Sequence, residues 1–162
     1  MTALETVHAI ELRGITKRFG AKVVANDHID LALDRGEILS LLGENGSGKT
    51  TLMNMLAGIY LPDEGEILMD GKPVAIRSPK DAFDHGIGMI HQHYKLVDVF
   101  TAAENIVLGL HDGKKLDRKE IAQKVRAISD KYGFGIDPDK KIYDMDVSEK
   151  QTVEIFKVIY RG

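Results

Sequence analysis

Eight consecutive residues, Gly43-Glu44-Asn45-Gly46-Ser47-Gly48-Lys49-Thr50, follow the spacing G-x-x-x-x-G-K-[ST]. These residue types suit the grip of a polyphosphate. Glycines let the backbone curl until successive N–H groups point inward at phosphate oxygens. A helix N-terminus directly behind the loop adds the positive end of its dipole. Lys49 is spaced to reach β- and γ-phosphates, and Thr50 offers a hydroxyl to a magnesium ion. Gly43, Asn45, Gly46, Ser47, Gly48, Lys49, Thr50 and the next residue, Thr51, are therefore the candidate phosphate-binding residues.

Such a loop works only when it is held between a strand and a helix. The apolar run Glu37–Leu42 reads as the strand, and Thr50 to Leu56 reads as the helix. A glycine-rich turn that merely joins two elements is the plain alternative, but it has no need of the Lys-Thr pair. His8 to Lys17 and Ile29 to Leu33 alternate like strands, and Glu66 to Met69 reads as a third before the hairpin signal Asp70-Gly71. Gly58 suits a helix C-cap and Pro62 to Gly65 a loop.

Further along, helical patterns take over. Ser78-Pro79 starts a helix that Gly86 ends. Ile87 to His91 is a short apolar run of strand type. Thr101 and Glu104 fit a capping box ahead of Ile106, Val107 and Leu110. Asp117 and Glu120 open a helix carrying Ile121, Val125, Ile128 and Tyr132, stopped by Gly133. Ser148 to Tyr160, apolar nearly all round, is expected as a buried helix.

The chain has 162 residues, 43% apolar and 29% charged, with a formal net charge of −3. That is enough for a genuine core, and no global basic field argues for nucleic acid as a partner. Cysteine is absent, which excludes disulfides and thiolate metal sites. No apolar run reaches membrane-spanning length, and the first residues have no signal-peptide pattern. His91 and His93 would share a face of a strand, but no third ligand accompanies them; the pair is read as ordinary polar residues rather than a zinc site. Lys114, Lys115, Lys140 and Lys141 read as solvent-facing loop charges.

Laid out in this order, the chain resembles the ATP-binding subunit of an ABC transporter, over nearly its whole length. Gly43 to Thr50, with Thr51-Leu52, matches the Walker A motif as that family writes it. The resemblance implies that Phe19 stacks on adenine, and that Gln92 is the Q-loop glutamine that meets magnesium and the attacking water. The plain alternatives are a turn aromatic and a strand-end polar residue. Thr101 to Ile106 is similar to the stretch that follows the Q-loop. Met145 to Glu149 lies where the signature sequence belongs, but Asp146 takes the place of its serine and Ser148 that of its second glycine. A carboxylate there repels phosphate unless it is turned away or protonated. The wording is most similar to importers of simple sugars and nucleosides.

The resemblance implies an α/β P-loop NTPase fold with an N-terminal antiparallel β region and a helical subdomain. The expected division is 1–93 for the ATP-binding core and 94–162 for the helical subdomain. The Walker B strand, with its aspartate and glutamate, has no counterpart, so the fold is expected to be incomplete at the C-terminus and hydrolysis by the chain alone weak or absent. The implied cofactors are ATP and Mg²⁺, with Lys49 and Gln92 catalytic and Thr50 and Gln92 on the metal. The implied partners are an integral membrane permease and a second ATP-binding domain, in tandem or as a dimer, at the cytoplasmic face of the membrane. The rivals are a soluble P-loop NTPase or kinase, which would need an acceptor site and an arginine-rich lid, and a nucleotide-binding module without turnover.

Overall fold

A computed structural model describes residues 7–91, 94–110 and 117–161. The chain divides into two compact units, one running to Ile87 and the other starting at Gly88.

The first unit is a four-stranded antiparallel sheet with one helix and a helical turn against it. Its strands are β1 (Ile10–Phe19), β2 (Val23–Leu33), β3 (Glu64–Met69) and β4 (Lys72–Val74), in the spatial order β2-β1-β3-β4. The Asp70-Gly71 turn joins β3 to β4 with φ of +49° and +73°, the left-handed pair that a two-residue hairpin of right-handed twist requires. Helix α1 (Lys49–Leu56) lays Leu52 and Met55 over Leu12, Ile15 and Ile67, so the inner face of the sheet carries the helix that follows the glycine-rich loop. Helix α2 (Pro79–Asp84) begins as expected, with Ser78 capping the Asp81 N–H and Pro79 in the first turn.

β2 is not a regular strand. Ile15 pairs with Ile29 and Lys17 with Asn26, so the single residue Thr16 faces both Asp27 and His28. His28 takes a left-handed φ of +49° and donates its N–H to the buried Thr16 hydroxyl at 3.0 Å. This is a bulge, which re-aims the side chains on one side of it. Ile29 and Leu31 pack on the core, Asp27 and His28 are both exposed, and Asn26 is buried again.

Two expected strands differ. Glu37–Leu42 and Ile87–His91 form no ladder with any described strand. A strand exists by its pairing, and an apolar run without a neighbour stays unassigned. Leu41 packs on the core of the first unit, while Ile38 and Leu42 are 95% and 92% exposed.

The second unit is helical: α3 (Ala102–Val107), α4 (Arg118–Tyr132), a 3₁₀ turn at Ile142–Asp144, and α5 (Val147–Arg161). The expected capping box is present, with Thr101 Oγ1 accepting the Glu104 N–H at 3.2 Å and Glu104 accepting the Thr101 N–H at 2.9 Å. Gly133 ends α4 in the left-handed conformation. Ile106, Val125, Ile142, Val153 and Phe156 make the core, with Phe134 edge-on to Phe156 at 5.5 Å. α5 is buried on one face only: Val153, Glu154 and Phe156 are covered, and Val147 and Ile159 are exposed. Its apolar residues outnumber the face that α3 and α4 can cover.

Candidate functional site

One cavity of about 360 Å³ is lined by Phe19, Val23, Val24 and Ala25 from the sheet and by Asn45 through Thr51 from the loop and α1. The sheet side offers apolar side chains, and the loop side offers hydroxyls, an ammonium and the N-terminus of a helix. That polarity suits a ligand with a flat apolar end and an anionic end. Phe19 is held edge-on by Tyr60, with ring centroids 5.2 Å apart, and Lys17 Nζ lies 5.8 Å from its centroid.

Lys49, the first residue of α1, folds its ammonium back over the loop. It donates to the carbonyls of Gly43 at 2.7 Å and Glu44 at 2.8 Å, and approaches Ser47 Oγ at 3.1 Å. A Cβ on Gly43 would lie 2.7 Å from Ser47 Oγ, a contact that a turn of the serine side chain relieves. Gly48 is under tighter constraint. Its φ is +84°, and a Cβ would fall 2.1 Å from the Ala25 carbonyl oxygen. The end of the loop therefore rests directly on the backbone of β2.

Phe19 and Asn45 to Thr51 thus meet in one cavity, whereas Gly43 is not in its lining and is tied to it through the Lys49 ammonium. Gln92 and His93 lie outside the described residues. Among the described residues no group of three or more His, Asp or Glu side chains could hold a metal. The Thr50 hydroxyl is a hard oxygen donor at the cavity wall, which fits magnesium carried largely by phosphates and water rather than by a cage of protein ligands.

The residues that sequence reasoning missed are Val23, Val24 and Ala25. They precede the expected strand Ile29–Leu33, and three small apolar residues carry no chemical signal. A clue was available in the adjacent polar pair Asp27-His28, which interrupts the alternation as a bulge does.

In the second unit, the carboxylate of Asp146 is turned on its own helix. It accepts the Glu149 N–H at 2.8 Å, and Glu149 accepts the Asp146 N–H at 2.9 Å. Lys140 donates to both oxygens of Glu149, at 2.6 and 2.8 Å. The Lys140 ammonium, with the Asp146 N–H, holds the Glu149 carboxyl below its ordinary range, and Glu149 in turn raises Lys140.

The comparisons with known proteins agree with this geometry. Residues 26–162 match the family model described as ABC transporter. The chain is 52% identical over 157 residues to the guanosine import ATP-binding protein NupO of Bacillus subtilis (strain 168), covering 96% of this chain and 31% of that protein. It is 50% identical over 162 residues to the nucleoside import ATP-binding protein NupA of Lactococcus lactis subsp. cremoris, covering 99% of this chain and 31% of that one. The chain thus spans about a third of the length of the curated relatives it matches. Among solved structures, cbiO1 of Clostridium perfringens, part of an ABC transporter complex, superposes with a TM-score of 0.76 at 25% identity over 96% of this chain and 62% of that one. An ATP-binding cassette of an ABC transporter in its ADP conformation superposes with a TM-score of 0.82, at 22% identity, over 96% of this chain and 66% of its own. The fold is that of the ABC ATPase, and the chain belongs to the ABC transporter family.

Proposed function

We propose that the chain is the nucleotide-binding part of an import ATPase, holding Mg²⁺–ATP with the base on Phe19 and the phosphates in the Asn45–Thr51 loop. What supports this most directly is the single cavity that joins an apolar platform to a lysine-bearing glycine loop at a helix N-terminus. The Lys49 ammonium, satisfied by Gly43 and Glu44 carbonyls, exchanges those partners for β- and γ-phosphate oxygens. It then stabilises the charge that gathers on the γ-phosphoryl group during transfer. The Thr50 hydroxyl would hold magnesium, together with Gln92 as the family resemblance implies, and the ion would supply charge neutralisation at the β- and γ-phosphates. The nucleoside and ribose import proteins among the relatives point to nucleoside or sugar import as the process driven. The partners are a membrane permease and a second ATP-binding domain, on the cytoplasmic side. No described helix is long and apolar enough to cross a membrane.

Calorimetric titration with a slowly hydrolysed ATP analogue tests the reading. Binding is expected to strengthen with Mg²⁺ and to weaken more than tenfold in Lys49→Ala. Equal affinity in the wild type and Lys49→Ala would show that the loop is not the phosphate site.

A further inference from the structure

Asn26 belongs to no motif, and its place in the fold is odd. It lies on β2 beside the bulge, is 5% exposed, and carries the one buried carboxamide oxygen without a hydrogen-bond partner among the described residues. Its Nδ2 donates to the Gly48 carbonyl at 3.3 Å. That carbonyl is the first acceptor of α1, taking the Leu52 N–H at 2.9 Å. Nδ2 also stands 2.8 Å from where a Cβ on Gly48 would be. The carboxamide therefore presses on the residue where loop becomes helix.

Packing alone does not explain the choice of residue. A buried acceptor with no partner costs stability, whereas an apolar side chain of the same shape does not. Leucine would fill this site and extend the core of Ile29 and Leu31. We propose that Asn26 is a positioning residue for nucleotide binding: its bond to the Gly48 carbonyl fixes the direction in which the first amides of α1 point at the phosphates. The bulge at Asp27–His28 is what brings Asn26 to the inner face to do so. This inference rests on the nucleotide reading above, and it adds a residue of β2 to the machinery of the loop.

The test compares wild type, Asn26→Leu and Asn26→Asp by thermal denaturation and by titration with the ATP analogue and with adenosine. Asn26→Leu is expected to melt at or above the wild-type temperature while its dissociation constant for the analogue rises about tenfold. Asn26→Asp keeps the shape but sets a carboxylate against the carbonyl, and is expected to lose at least as much. Adenosine, which has no phosphate to be gripped, is expected to bind all three alike. The proposal is overturned if Asn26→Leu binds the analogue within twofold of wild type. It is equally overturned if that variant fails to fold, or if its melting temperature and its adenosine affinity fall together with the analogue's. Absence of Lys49-dependent binding in the wild type removes the nucleotide reading itself; intact wild-type binding with an indifferent Asn26→Leu removes only this inference.

Discussion

At Gly48 two demands coincide that no other amino acid meets. The backbone is left-handed at φ +84°, and the Ala25 carbonyl occupies the volume of a side chain. Strain at such a φ costs about 1 kcal/mol or more by itself, and the contact cannot relax without lifting the loop off β2. Gly48→Ala is therefore expected to lower stability by at least about 2 kcal/mol in urea denaturation, and to abolish binding of the ATP analogue. Stability close to wild type would mean that loop and strand are not pressed together. This residue illustrates what the sequence makes legible: the motif announces a glycine at position 48 but not the surface it touches. Type and spacing single out Lys49 and Thr50, the family resemblance singles out Phe19, and all three line one cavity. Neither singles out Asn26, because an asparagine ahead of an expected strand looks like any turn residue.

Helix ends were the most legible elements, since caps are local chemistry. Ser78, Thr101, Asp117 and Gly133 all stand at the helix boundaries expected of them. The Thr101–Glu104 box goes further than the sequence could, because Arg118 and Lys141 also converge on Glu104, at 3.0 and 3.8 Å. The Thr101 N–H first, and these two cations after it, hold the Glu104 carboxyl below its ordinary range. A folded value below the unfolded one means stability that is present above the unfolded pKa, about 4.3. It is lost as pH falls through the lower folded value. Glu104→Gln retains a capping side chain but no charge. The wild type is expected to exceed it in stability at pH 7, with the gap closing towards pH 3, as read by urea denaturation at stepped pH. A gap independent of pH would assign the effect to shape. Strands were harder to read than helices. Glu37–Leu42 has the composition of a core strand, but composition does not supply the neighbour that a ladder needs.

Over the whole molecule, apolar burial gathers in two separate cores, one around Leu12, Ile15 and Met55 and one around Ile106, Val125 and Phe156. The change from strand-rich to helix-rich pattern along the chain anticipates two kinds of core, because each period can bury only its own sort of face. The run from Ile38 to Leu42 belongs fully to neither, with Ile38 and Leu42 at 95% and 92% exposure. Exposed apolar side chains on unpaired backbone invite association with other chains. Ile38→Lys is accordingly expected to leave unfolding stability within about 0.5 kcal/mol. It is also expected to raise the protein concentration at which light scattering detects self-association. A large loss of stability would show that Ile38 is packed after all.

The bulge in β2 gives the strand a phase, much as a reading frame gives one to a message. Two residues, Asp27 and His28, stand where the pleat counts one. Removing His28 corrects the count and leaves Asn26 on the side it already occupies, relieving a left-handed backbone on the way. Removing Asp30, only two places further on, inverts every position on one side of the cut: Ala25 moves into the inward place of Asn26, and His28 into that of Ile29. Tolerance to a lost residue in this strand is thus set by parity rather than by distance from the loop it supports.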